Sequence, residues 1–64
     1  MKVYIELEYN ETTTKGFTIE VEGKKHEYMA LIEMVTRGTL MASMANKATA
    51  YNEEGFDIVS YRKN

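Results

Sequence analysis

The sequence predicts a small α+β fold: an antiparallel sheet in ββαβ order, packed against one long helix or two short ones. Three observations carry that expectation. Two N-terminal segments alternate apolar and polar residues with a period of two, as half-buried strands do. The middle of the chain is rich in Ala, Leu and Met and contains no Pro, a helical composition. A short C-terminal segment then returns to weak alternation. The sheet has three strands, or four if residues 25–29 also pair.

Residues 2–9 set Val3, Ile5, Leu7 and Tyr9 on one side and Lys2, Tyr4, Glu6 and Glu8 on the other. A polar, Thr-rich connection from Asn10 to Gly16 follows, the length of an extended hairpin loop. Residues 17–22 alternate again, with Phe17, Ile19 and Val21 inward and Thr18, Glu20 and Glu22 outward. Gly23-Lys24-Lys25 is a turn. After it, either a helix starts near Glu27 or Lys25 to Met29 forms a short strand; helix is favoured, although no Ser, Thr, Asp or Asn stands at the N-cap position.

Residues 28–51 read as helical. At 100° per residue, Tyr28, Leu31, Ile32 and Val35 share a face. The large residues Leu40, Met41, Met44 and Tyr51 fall on nearly the opposite side, so the stripe jumps near Gly38. Either Gly38 ends one helix and Thr39 caps a second, or one helix runs through with a second apolar face. A helix of that length spans about 36 Å, longer than the roughly 23 Å of a seven-residue strand. Asn52 to Gly55 is a turn. Phe56 to Tyr61 is the last strand, with Phe56 and Ile58 inward and Asp57, Val59 and Tyr61 outward. The last strand is expected beside the first, in spatial order 2-1-3.

The 64 residues make one domain, residues 1–64. Such a domain buries only about 60% of its unfolded surface, so a staple is usual. Without Cys and with a single His, neither a disulfide framework nor a Cys or His metal cluster is available. Self-association or docking on a partner remains. No cofactor is implied.

The formal net charge of −2 is too weak for a nucleic-acid mimic and has the wrong sign for a basic footprint. Nucleic acid is therefore disfavoured as a partner. Charge is uneven: residues 1–23 carry −3, residues 24–52 carry +2 and residues 53–64 carry −1. The first residues are not a signal peptide, and no apolar run approaches the roughly 18 residues of a membrane span. A cytoplasmic protein is expected. The sequon Asn10-Glu11-Thr12 is a chance match in that setting.

Catalytic signals are absent. His26 stands beside Glu27, but nucleophilic catalysis needs a nucleophile, a base and a group that orients the base. Paired Glu residues on an open sheet face lack the enclosed cleft that separates two carboxyl pKa values. Gly23-Lys24 lacks the spaced glycines of a phosphate loop. No catalytic residue, metal ligand or enzyme activity is assigned.

Two surfaces could bind a protein. The outer sheet face would gather Tyr4, Glu6, Glu8, Glu20, Glu22 and Tyr61, an acidic surface with tyrosines suited to a partner with a basic face. The alternative is a structural or regulatory homodimer, its interface made by Leu40, Met41, Met44 and Tyr51. Met packs adaptably against irregular partners. No motif carries a family resemblance. By size and architecture alone, the chain is similar to the small accessory proteins that phages and mobile elements encode to bind host proteins.

Overall fold

The computed structural model describes residues 1–63. Four strands and one helix follow in the order ββαββ: β1 (Lys2–Glu8), β2 (Thr14–Glu20), α1 (Lys25–Ala42), β3 (Lys47–Tyr51) and β4 (Asp57–Arg62). All neighbouring strands are antiparallel, in the spatial order β2-β1-β3-β4. β2 and β3 both oppose β1 and so run parallel to each other, with α1 as the crossover between them.

The alternation of β1 has its expected cause. Val3, Ile5 and Leu7 are buried beneath the helix layer, while Lys2 and Tyr4 stay exposed. β2 begins at Thr14, three residues before the expected Phe17, because Asn10 closes the loop quickly. Its side-chain oxygen accepts the backbone N–H groups of Thr12 and Thr13, both at 2.9 Å, and the Tyr9 N–H donates to the Thr13 carbonyl. Such an Asx turn mimics a backbone turn. Glu8 thereby pairs with Thr14 and Glu6 with Gly16.

Gly16 is required by close approach. A Cβ there would collide with the Tyr4 ring hydroxyl and stand 2.8 Å from the Ile5 carbonyl oxygen. The ring can swing away; the carbonyl is fixed by the sheet. Gly16→Ala is expected to lower stability by about 1–2 kcal/mol, and adding Tyr4→Ala should recover only part of it. Thermal melts of the two variants check this, and an unchanged melt for Gly16→Ala would contradict it.

Helix α1 starts at Lys25 without a conventional cap. Gly23 takes a positive φ of 102°, and the Lys24 N–H donates to the Glu27 carboxylate at 3.1 Å. Glu27 thus supplies one half of a capping box and sets negative charge at the positive end of the helix. The helix runs unbroken through Gly38, where an added Cβ would meet nothing within 4 Å. Neither the break at Gly38 nor the 24-residue helix is found. The apparent jump has a simple origin: the row facing the sheet is Ile32, Thr36 and Leu40. Thr36 is buried because its hydroxyl donates to the Ile32 carbonyl at 2.6 Å. One polar residue in the stripe hid its continuity.

The helix ends at Ala42, where the Ser43 hydroxyl donates to the Leu40 carbonyl and accepts the Ala45 N–H. Residues 47–51, expected as helix, form the central strand β3. Lys47, Thr49 and Tyr51 alternate with Ala48 and Ala50, and both alanines are fully buried under α1. Their small size lets the helix lie close to the sheet. β3 takes the place beside β1 where the last strand was expected, so the order 2-1-3 becomes β2-β1-β3-β4.

At the β3–β4 turn, Asn52 accepts the N–H groups of Glu54 and Phe56, and Gly55 has φ 91°. A register shift then leaves Ile58 as an extra residue between Asp57, opposite Tyr51, and Val59, opposite Ala50. The bulge reverses the parity of everything after it. Val59 and Tyr61, expected outward, therefore lie on the helix side and pack on the core.

The core has two parts. Val3, Ile5, Val21, Ile32 and Ala50 form the larger, and Leu7, Leu40, Ala45 and Ala48 the smaller. Among the described residues α1 lies against β3, β4 and one flank of β1 and does not reach β2. No helix is long and apolar enough to cross a membrane, among the described residues.

Candidate functional site

On the outer sheet face the register sets side chains in rows. Glu8 lies opposite Lys47, which lies opposite Arg62. Glu6 lies opposite Thr49, and the Thr49 and Ser60 hydroxyls are hydrogen-bonded at 3.1 Å. Tyr4 lies opposite Tyr51, and Lys2 opposite Glu20.

The expected binding set is thus divided. Tyr4, Glu6, Glu8 and Glu20 share this face. Glu22 follows β2 in the loop, and Tyr61 is on the other side of the sheet, under the Arg37 guanidinium. The face is also less acidic than the sequence implied. β3 and β4 bring Lys47 and Arg62 onto it, and with Lys2 these three cations stand against the four carboxylates of Glu6, Glu8, Glu20 and Asp57. The unforeseen strand β3 and the bulge in β4 are the cause.

The expected dimer residues are scattered over three places. Leu40 is 2% exposed and belongs to the smaller core, which removes it from any interface. Tyr51 lies half-buried on the outer sheet face. Met41 and Met44, in contrast, are 68% and 88% exposed.

Around Met41 the structure assembles a surface that sequence reasoning missed. Met34 is 69% exposed and Leu31 43%, although Leu31 was assigned to the buried face. Leu31, Met34, Gly38 and Met41 are spaced 3, 4 and 3 residues apart, the seam pattern of paired helices. That heptad spacing was the available signal, and the helical wheel centred on Ile32 obscured it.

This outward face of α1 is not smooth. Ala30, Glu33, Met34, Arg37, Gly38 and Met41 line an open hollow of about 450 Å³, floored by the bare backbone at Gly38. Glu33 and Arg37 stand along one edge, one helical turn apart. The Arg37 guanidinium carbon lies 5.1 Å from the centre of the Tyr61 ring. Stacking there uses the face of the guanidinium and leaves its N–H edges available to a carboxylate.

Two smaller recesses lie elsewhere. One of about 200 Å³ gathers Glu8, Glu11, Lys47 and Arg62 at one end of the sheet. The other, of about 280 Å³, lies between Tyr28, Met29 and Ile58. Among the described residues no three His, Cys, Asp or Glu side chains stand together as a metal site, and His26 is exposed in the first turn of α1. No known protein family, no curated protein and no solved structure matches this chain.

Proposed function

We propose that this chain is a non-catalytic protein-interaction module that docks through the outward face of α1. One observation carries the reading: Leu31, Met34 and Met41 form an apolar seam left exposed by the described residues. Apolar side chains scattered singly are normal on a surface, whereas a contiguous group marks an interaction site. The small size of the domain supports the same reading, since burying this seam adds to a core that is limited by chain length. Docking of the outer sheet face on a basic partner has weaker support, because Lys2, Lys47 and Arg62 offset three of its four carboxylates.

A photoreactive residue placed at position 34, and in a separate chain at position 18 on the outer sheet face, tests this in the cells of origin. Discrete adducts are expected from position 34 and not from position 18. Adducts from position 18 alone would move the docking surface to the sheet. An absence of adducts at position 34 would overturn the reading.

A further inference from the structure

Resting on that reading, we infer that the occupant of the helix face is a second copy of this chain, its α1 lying antiparallel across a twofold axis. Three features support that arrangement.

Shape is the first. Along the seam, bulky Met34 and Met41 alternate with the hollow at Gly38. A twofold axis crossing near residues 35 and 36 sets Met34 of each copy into the Gly38 hollow of the other. The same axis sets Leu31 against Met41. Large side chains thus fill the two Gly38 hollows at the centre of the contact, as in knobs-into-holes packing, and the Leu31–Met41 pairs close its ends.

Charge is the second. Antiparallel helices related by a twofold bring like flanks together, so the edge bearing Glu33 and Arg37 meets its own copy. Reversal of direction places Glu33 across from Arg37 and Arg37 across from Glu33. The flank is complementary to itself in this orientation. In a parallel pair that edge faces the opposite flank, where Ala42 and half-buried Val35 offer no charge. The Tyr61 ring beneath Arg37 holds the guanidinium at this edge.

Access is the third. The seam lies on the side of α1 away from the sheet, opposite the buried row Ile32, Thr36 and Leu40. An 18-residue helix is about 27 Å long, and no strand or loop has to move for two of them to meet.

The test is sedimentation equilibrium on the full chain over a micromolar concentration series, with two charge reversals and their mixture. The unsubstituted chain is expected to dimerise. Glu33→Arg and Arg37→Glu should each weaken self-association roughly tenfold or more, because each reversal turns two attractive contacts into repulsive ones. An equimolar mixture of the two variants should associate as the unsubstituted chain does, since the mixed pair again opposes unlike charges on both contacts. Met34→Glu, at an exposed position, should give a monomer with an unchanged circular dichroism spectrum. A monomeric unsubstituted chain overturns the inference, as does a mixture that associates no better than its components. An ion pair confined within one helix would give that second result. Adducts of foreign mass from position 34, together with a monomeric chain, would leave the docking face standing and exclude self-pairing.

Discussion

Truncating Ile32 to alanine is expected to cost about 2–5 kcal/mol, the range for removing a large aliphatic side chain from a packed core. Ile32 is fully buried in the larger core cluster with Val3, Ile5, Val21 and Ala50. Its loss opens a cavity between helix and sheet that neither layer can close alone. A 64-residue chain holds roughly 3–10 kcal/mol of stability in total, at about 0.05–0.15 kcal/mol per residue. The variant should therefore melt about 10 °C lower or more, and at the upper end of the range it will not fold. Thermal unfolding followed by circular dichroism measures this. A melting point within a few degrees of the unsubstituted chain would mean that the helix is held by other contacts.

The second large effect comes from the opposite change. Ala50→Leu adds three carbons at a fully buried site on the central strand, beneath α1. β3 is hydrogen-bonded on both sides and has no room to retreat, so the helix must lift. Overpacking of this kind costs typically about 1–3 kcal/mol, and the closeness of helix and strand places this site at the upper end. The same substitution at Ala42, exposed at the end of α1, should be nearly neutral. Chemical denaturation of both variants makes the comparison, and equal midpoints would contradict the close approach of helix and sheet.

These alanines also explain why part of the fold was hard to read in the chain. Strand β1, the inward placement of Ile19 and Val21 and the coarse α+β class were legible from period-two alternation, a strong signal wherever one side of a strand is apolar and the other polar. Phe17 shares that side but is exposed beyond the helix. β3 alternates just as strictly, as Lys-Ala-Thr-Ala-Tyr, but its inward residues are alanines. Ala favours helices in isolation, and at Ala48 and Ala50 tertiary packing overrides that preference. Thr36 misled in the reverse direction, since a threonine whose hydroxyl is satisfied by its own helix looks polar yet packs as core. The bulge at Ile58 shows no local signature in sequence, so Val59 and Tyr61 were placed on the wrong side. For the candidate site, Met41 and Met44 stood out by composition, and both are exposed. Leu40 was not separable from them by composition, because only the phase of the finished helix distinguishes adjacent positions.

The placement of α1 also divides the molecule energetically. β2 lies beyond the reach of the helix, at the sheet edge, held by its ladder to β1 and by the packing of Ile19 against the core. Releasing it breaks one ladder and the packing of Ile19 on the larger cluster, whereas releasing β3 opens both core clusters at once. Free energies of opening are set by such differences. Opening of β2 is therefore expected at a lower free energy than opening of β3, and native-state hydrogen exchange of the two ladders would show it.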